Sequence, residues 1–277
     1  MKVAFQGIPG SFSHTAAVNI FGQDNSFIGV NQFRKIFELV KEKKADRGVV
    51  PIENSLAGSV HENYDLLSRY KIPIVGEYYL EIEHNLLGIE KSKDFKKIKE
   101  AYSHPKALEQ CVTFFENHPW IEKKLFSDTA GAAKFVADSK DVSKAAIASR
   151  NASELYGLPI LKKNIEDNKF NFTRFLIISC EKKSTQKPNK CSLVFTVKHV
   201  PGSLANALRV FAENGVNLVK IESRPIHGKP FEYLFYVDLE FSKDRESKMN
   251  SIIEEFKKET QSVMVLGYYQ SFQSQVK

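Results

Sequence analysis

The stretch NFTRFLIISC, residues 171–180, closes a series of alternating strand and helix patterns. Its apolar run at 175–178 is typical of a strand inside a sheet. Thr173 and Arg174 stand directly before this run, so a hydroxyl and a permanent cation lie at the mouth of a buried strand. For this stretch alone, a surface explanation is as good as a catalytic one, because threonine favours strands and arginine can extend to solvent.

The pattern changes once along the chain. Before residue 181, strand and helix patterns alternate, which is typical of an α/β domain; 80–89 predicts one strand and 106–118 one helix. EKKSTQKPNK, residues 181–190, has no apolar residue and predicts an exposed linker. The patterns after it follow the order βαββαβ, which predicts a small ferredoxin-like α+β domain.

The composition limits the possible partners and cofactors. The net charge of +7 is spread along the 277 residues without a nucleic-acid reading motif, so no nucleic-acid partner is expected. No apolar run is long enough to span a membrane, and the first residues lack a signal-peptide pattern, so a cytoplasmic location is expected. The three cysteines are far apart and the histidines lack ligand spacing, so neither a metal site nor a disulfide framework is expected.

Polar residues end two of the predicted strands. GIPGSFS, residues 7–13, has glycines that let the backbone approach a ligand, but a plain turn capped by Ser11 or Ser13 is slightly favoured. VVPIENS, residues 49–55, brings polar groups to the carboxyl end of a strand, where α/β proteins collect ligands. A simple turn is the alternative. Three successive polar groups favour function: Glu53, Asn54 and Ser55.

Two further segments open predicted helices. SHPKALEQ, residues 103–110, places His104 at a helix start, where an exposed polar residue is commoner than a ligand group. SDTAGAA, residues 127–133, has small residues that let a helix N-terminus approach a ligand. An ordinary N-cap is the alternative reading of the second segment.

Taken together, these segments resemble the prephenate dehydratase family. The motifs occur in the order and spacing of that family over residues 1–179: GIPGSFS, VPIENS, HNLLG, SHPKALEQC, DTAGAA, AAIAS and IEDNKFNFTRF. The small domain, with its segment ending in ESRP, resembles the ACT regulatory domain of these enzymes. The resemblance implies the decarboxylating dehydration of prephenate to phenylpyruvate in phenylalanine synthesis, without a cofactor or metal, and regulation by phenylalanine.

The resemblance also implies an architecture. The family's catalytic domain is similar to a two-lobed periplasmic-binding-protein-like fold with the site in the cleft. Lobe one is expected at about 1–78 and 159–180 and lobe two at about 79–158, with the ACT domain at 191–277. Because ACT domains usually pair side by side, a homodimer or homotetramer is expected.

Residue roles follow from the same resemblance. Thr173 is expected to donate a hydrogen bond, or relay a proton, to the departing hydroxide. Arg174 either holds a substrate carboxylate or forms a structural ion pair behind the site, and Phe175 is expected to wall the ring. The expected catalytic residues are Thr173, Asn54, Ser55 and Glu53, and the expected substrate-binding residues are Ser11, His104, Gln110, Thr129, Arg174 and Phe175.

The effector site and the alternatives complete the interpretation. Lys106 stands where the family usually has glutamine, so it either adds a positive charge near a dianionic substrate or faces solvent. One alternative function is that of an arogenate dehydratase, and another is a non-catalytic phenylalanine sensor, which the intact TRF and VPIENS segments disfavour. The expected effector-binding residues are Gly202, Ser203, Leu204, Ala205, Glu222, Ser223, Arg224 and Pro225.

Overall fold

The computed structural model of the chain describes residues 1–91, 95–181, 187–226, 228–229, 231–242 and 246–272, so residues 182–186 of the predicted linker lie outside it. The first part forms a sheet of order β2-β1-β3-β11-β5, with β4 paired to β3. We call this sheet and its helices lobe one. Its elements are β1 (Lys2–Gln6), α1 (Phe12–Phe21), β2 (Ser26–Val30), α2 (Phe33–Lys41), β3 (Arg47–Asn54), β4 (Gly58–Ser59), α3 (His61–Tyr70), β5 (Ile74–Glu81) and β11 (Phe172–Ile178).

Lobe two is a separate five-stranded sheet of order β10-β6-β9-β7-β8. The pairing of β10 with β6 corrects the predicted lobe boundary, because the chain stays in lobe two beyond residue 158 and rejoins the first sheet only at β11. Its elements are β6 (Asn85–Gly88), β7 (Glu100–Ser103), α4 (Pro105–Glu109), α5 (Val112–Glu116), β8 (Glu122–Leu125), α6 (Thr129–Ser139), β9 (Lys144–Ala148), α7 (Arg150–Tyr156) and β10 (Ile160–Lys162), with a 3₁₀ turn at Phe95–Lys97.

Two of the predicted elements are broken in the structure. The helix expected over 106–118 is divided into α4 and α5, because the Asp167 carboxylate accepts hydrogen bonds from the backbone N–H groups of Val112 (2.7 Å) and Thr113 (3.1 Å) and starts a second helix there. The strand expected over 80–89 is divided into β5 and β6, because the chain crosses between the lobes at 82–84.

The small domain has the predicted βαββαβ order, and its sheet order of β13-β14-β12-β15 is that of the ferredoxin-like fold. No helix among the described residues is long and apolar enough to cross a membrane. The elements are β12 (Lys190–Thr196), α8 (Ser203–Glu213), β13 (Asn217–Pro225), β14 (Tyr233–Glu240), α9 (Glu246–Lys258) and β15 (Ser262–Tyr269).

The sheet of the small domain is covered on both faces over its central strands, whereas its edge strand β13 is partly exposed. One face packs on α8 and α9, while Val194, Tyr236 and Leu266 on the other face join the apolar core of lobe one. The two units approach so closely that a Cβ atom on Gly267 would lie 2.1 Å from the carbonyl oxygen of Ile74, so only glycine fits there. The small domain therefore lies directly behind the strands that carry the candidate site.

Candidate active site

Thr173 and Asn54 lie side by side at one end of lobe one. They are register partners on β11 and β3, and Asn54 Nδ2 donates a hydrogen bond to Thr173 Oγ1 at 3.1 Å. Asn54 Oδ1 accepts hydrogen bonds from the backbone N–H groups of Leu56 (3.0 Å) and Ala57 (2.8 Å), so the turn after β3 holds the amide in one orientation. The structure thus brings together two of the predicted catalytic residues.

Ser55, the next residue of the VPIENS segment, fastens this turn to the segment before β11. Its hydroxyl accepts a hydrogen bond from the Phe172 N–H and donates one to the Phe170 carbonyl, both at 2.9 Å. Both of these hydrogen bonds of the Ser55 hydroxyl are therefore made with backbone groups. Ser55 holds the position of the Asn54–Thr173 pair, whereas its predicted chemical role stays a prediction.

Asn171 and Gln110 extend the group into lobe two. Asn171 is buried; its Oδ1 accepts from Asn54 Nδ2 at 2.7 Å, and its Nδ2 donates to Gln110 Oε1 at 3.0 Å. Gln110 is the C-cap of α4, and it reaches Asn171 across the boundary between the lobes; its expected contact with substrate stays a prediction. Asn171 was missed among the candidate residues, although it opens the NFTRF motif.

His84 is a second residue that sequence reasoning missed as a site residue. It lies in the crossing between β5 and β6, is 2% exposed, and places Nε2 at 2.8 Å from Gln110 Oε1. Burial lowers the pKa of His84, so the ring is neutral at neutral pH. A lone histidine inside an apolar motif carries no local signal of such a role, because its partner is distant in sequence.

Helix N-termini carry three of the predicted substrate-binding residues. Ser11 caps α1 by accepting from the His14 N–H at 3.2 Å, His104 caps α4, and Thr129 is the first residue of α6. Helix N-termini favour anions such as carboxylates. Within the described part of the chain, none of the three side chains bonds to Thr173 or Asn54, so their substrate roles stay predictions.

The glycine turn at 7–13 also joins the lobes. Ser149, in the AAIAS motif, donates a hydrogen bond to the Gly10 carbonyl at 3.0 Å, and the Tyr156 hydroxyl donates to the Pro9 carbonyl at 2.6 Å. The turn is thus held against α7 of lobe two. Among the residues that the structure describes, no group of three or more His, Cys, Asp and Glu side chains is placed to hold a metal ion.

Arg174 points away from Thr173, because neighbouring residues on a strand face opposite sides. Its buried guanidinium donates to Glu77 Oε2 (2.8 Å), to the Tyr269 hydroxyl (3.1 Å) and to Asp238. Burial would lower the pKa of Arg174, but Asp238, Tyr269 and Glu77 together raise it well above its usual value. The predicted contact of Arg174 with substrate is therefore wrong, and the alternative of a structural ion pair behind the site is confirmed.

Glu53 and Phe175 also have other roles than predicted. Glu53 Oε1 accepts from Lys220 Nζ of β13 at 2.7 Å, so this carboxylate faces the small domain and not the cleft. Phe175 is 1% exposed and belongs to the core that contains Ala16 and Ala17 of α1. Phe175 therefore packs in the core between β11 and α1, and it does not line the site for the substrate ring.

Two of the predicted effector residues point toward lobe one. Glu222 Oε2 accepts from the Ser59 hydroxyl at 2.6 Å, and Arg224 donates two hydrogen bonds to the Asp65 carboxylate at 3.2 and 3.0 Å. These two side chains therefore bind residues of lobe one and do not lie on the exposed face of β13. The other predicted effector residues lie at the start of α8 and on the exposed positions of β13: Gly202, Ser203, Leu204, Ala205, Ser223 and Pro225.

The chain is similar to related proteins of known sequence. The chain is 43% identical over 258 residues to arogenate dehydratase/prephenate dehydratase 1, chloroplastic, from Arabidopsis thaliana, with 87% of this chain and 65% of that protein covered. It is 42% identical over 246 residues to a prephenate dehydratase from Methanocaldococcus jannaschii, with 87% of each chain covered.

Solved structures share the whole architecture. The prephenate dehydratase from Arthrobacter aurescens in complex with L-Phe is 26% identical, with a TM-score of 0.87 over 98% of this chain and 90% of that one. GqqA, described as a novel type of quorum quenching acylase, is 31% identical, with a TM-score of 0.88 over 99% of both chains. The model of the prephenate dehydratase family matches residues 3–183, and the ACT domain model matches residues 192–256. The chain therefore belongs to the prephenate dehydratase family and carries an ACT domain after the dehydratase domain.

Proposed function

We propose that this chain catalyses the decarboxylating dehydration of prephenate to phenylpyruvate in phenylalanine synthesis. The observation that carries the proposal is the hydrogen bond from Asn54 to Thr173 at the cleft end of β3 and β11. In the reaction the bond between the ring and its carboxylate breaks and carbon dioxide leaves, the electron pair of that bond enters the ring, and the ring hydroxide leaves as water with a proton that comes from solvent, directly or through Thr173. Thr173 donates a hydrogen bond to that oxygen as negative charge develops on it.

The two carboxylates of prephenate need positive partners, and helix N-termini supply them. We assign the N–H groups in the first turn of α1, beside Ser11, and the Thr129 hydroxyl at the start of α6 to carboxylate binding; the Gly131 N–H of α6 is already bound by the Asp128 carboxylate at 2.7 Å. Lys106 pairs with Glu109 at 3.3 Å, and both side chains are about two-thirds exposed (66% and 65%), which supports a solvent-facing position for this lysine.

Arogenate is the second candidate substrate. The Arabidopsis relative carries both activities in its name, and arogenate differs from prephenate only in its side chain. The residues around Thr173 act on the ring that both substrates share. The same site therefore supports either substrate, and only turnover distinguishes them.

A single assay tests both domains. Purified full-length chain is incubated with prephenate or arogenate, with and without phenylalanine, and the formation of phenylpyruvate or phenylalanine is followed. We expect turnover of prephenate and a changed rate when phenylalanine is present. Absence of any product from prephenate would contradict the proposed reaction, and binding of phenylalanine without turnover of either substrate would identify a sensor.

We further propose that phenylalanine binds at the ACT domain and acts on the site through β13. Lys220 donates to Glu53 (2.7 Å) and to the Ser59 hydroxyl (3.1 Å), and therefore clamps both ends of the turn that contains Asn54. Glu222 holds the same Ser59 hydroxyl. A shift of β13 on binding phenylalanine is thus transmitted to the turn that orients Thr173.

Replacing Lys220 with methionine is expected to weaken this coupling. Turnover without phenylalanine falls only modestly, because the Leu56 and Ala57 N–H groups still hold Asn54, whereas the ratio of rates with and without saturating phenylalanine moves toward one. Typical coupling free energies of about 1–3 kcal/mol set the size of the effect that can be lost. The matched control is Lys257→Met, which removes an exposed ACT-domain lysine that pairs with Glu254 of its own helix. An unchanged phenylalanine response in Lys220→Met would contradict this route.

The remaining expectations stay proposals. We propose a homodimer or homotetramer formed through β13, which lies at the edge of its sheet and exposes Val219 (41%) and Ile221 (42%). We also propose a cytoplasmic location and a division of the chain into a dehydratase domain at 1–180 and an ACT domain from residue 191. The match of the two family models to 3–183 and 192–256 supports that division.

A further inference from the structure

A chain of side-chain hydrogen bonds runs from Thr173 to His84 and crosses from lobe one to lobe two. Its links are Thr173–Asn54 (3.1 Å), Asn54–Asn171 (2.7 Å), Asn171–Gln110 (3.0 Å) and Gln110–His84 (2.8 Å). All five side chains are neutral in this arrangement, because burial lowers the pKa of His84. Such a chain has a direction, which depends on which atom donates at each link.

Backbone groups set that direction at one point. Asn54 Oδ1 accepts from two N–H groups, those of Leu56 and Ala57, so this atom is an oxygen and the opposite atom of the amide is the donor. An amide nitrogen has no acceptor capacity. Both Asn171 Oδ1 and Thr173 Oγ1 must therefore accept hydrogen bonds from Asn54.

This direction decides the state of Thr173. Its oxygen accepts from Asn54, so its own proton does not point toward that amide and is left for a third group. Thr173 lies on the partly exposed end of β11, where substrate is expected. The hydroxyl is thereby prepared as a donor toward the cleft.

The same direction decides the tautomer of His84. Since Asn171 Oδ1 accepts, Asn171 Nδ2 donates to Gln110, and the Gln110 atom that it meets is an oxygen. His84 Nε2 lies 2.8 Å from the same oxygen and must donate to it. Nε2 therefore carries the proton, and Nδ1 is a bare acceptor; Nδ1 is buried and has no partner among the described residues.

We propose that His84 is a positioning residue: its Nε2–H holds Gln110 at the lobe boundary, so that Gln110 and Asn171 keep Asn54 and the Thr173 hydroxyl in place against lobe two. Gln110 Oε1 accepts hydrogen bonds from both segments that cross between the lobes: from Asn171 in one and from His84 in the other. Without the His84 donor, Gln110 Oε1 keeps only the Asn171 bond of this network, so the link that holds Asn54 and Thr173 against lobe two is loosened, while the Leu56 and Ala57 N–H groups still fix the direction at Asn54. This proposal rests on the proposed function only for its kinetic consequence.

The tautomer is tested directly by long-range ¹H–¹⁵N correlation spectra of histidine-labelled full-length chain at neutral pH. The His84 resonance is assigned by its loss in His84→Gln. We expect the neutral Nε2–H tautomer in wild type. An Nδ1–H tautomer or a doubly protonated ring would overturn the proposal, and neither result depends on whether prephenate is the substrate.

The kinetic test compares two replacements of His84. His84→Leu removes the donor and is expected to lower kcat by about 10- to 100-fold, with KM within about threefold of wild type. His84→Gln supplies an amide donor and is expected to recover most of kcat. The control His118→Leu removes a lobe-two histidine that bonds to the Phe114 carbonyl.

Each outcome has one meaning. Equal kcat losses in His84→Leu and His84→Gln, with equal losses of thermal stability, would show a merely structural histidine and overturn the proposal. A wild-type chain without prephenate turnover would contradict the proposed function, while the tautomer measurement would still decide the direction of the hydrogen-bond chain.

Discussion

Thr173→Val is expected to lower kcat for prephenate by roughly 100- to 1,000-fold, with little change in KM. Valine keeps the volume and the strand preference of threonine, so β11 stays in register and only the hydroxyl is lost. The hydroxyl contributes most where charge develops on the departing oxygen, so its loss affects the transition state more than the bound substrate. Initial rates of phenylpyruvate formation at several prephenate concentrations measure both parameters.

Two matched variants make this result specific. Thr173→Ser keeps a hydroxyl within reach of Asn54 and is expected to retain a large part of kcat. Thr260→Val removes a hydroxyl just after α9 in the ACT domain, which donates to the Phe256 and Lys257 backbone carbonyls, and is expected to leave kcat unchanged. A wild-type kcat in Thr173→Val would show that the Thr173 hydroxyl takes no part in catalysis.

Glu77→Ala is expected to lower the free energy of unfolding by about 3–5 kcal/mol. The Glu77 carboxylate is 1% exposed and binds Arg174 of β11 (2.8 Å), Lys190 of β12 and the Phe272 N–H (both 3.1 Å). Removing it leaves two buried cations with fewer acceptors at the contact between lobe one and the ACT domain. The cost arises mainly from the lost charge compensation, since Arg174 keeps only the Asp238 carboxylate and Lys190 only that of Glu240 among the described residues.

The control for this prediction is an exposed ion pair. Lys134 and Asp138 form an i,i+4 pair on α6, with side chains 54% and 65% exposed, so Asp138→Ala is expected to cost less than about 1 kcal/mol. Urea unfolding followed by circular dichroism compares the two variants, and hydrogen exchange shows whether the loss begins at β12. A Glu77→Ala variant as stable as Asp138→Ala would show that solvent reaches the cluster.

Local pattern was enough to predict the order of elements in the ACT domain and the polar end of β3, where the rule that ligands gather at the carboxyl ends of strands applies. The family resemblance grouped Thr173 and Asn54 as catalytic residues, but the hydrogen bond between them was not predicted. The direction of Arg174 was not predictable in the same way. The alternation of a strand puts Thr173 and Arg174 on opposite faces, but only the docked ACT sheet shows that the second face is dry and supplies Asp238.

Long-range contacts account for the other differences. The division of α4 from α5 depends on the Asp167 carboxylate, which lies 55 positions after Val112 in the chain. The role of Glu53 depends on Lys220, and that of His84 depends on Gln110. Sequence periodicity describes neighbours along one element, so it carries no information about partners that tertiary folding brings together.

The position of Thr173 and Arg174 on consecutive residues of β11 has an evolutionary consequence. A shift of one residue in the register of this strand would exchange the faces of all its side chains, placing the cation in the cleft and the hydroxyl against the ACT domain. A single-residue insertion or deletion inside Phe172–Ile178 therefore removes the catalytic group and the domain contact in one step. We expect lineages of this family to tolerate length changes in the surface connections and to exclude them from this strand.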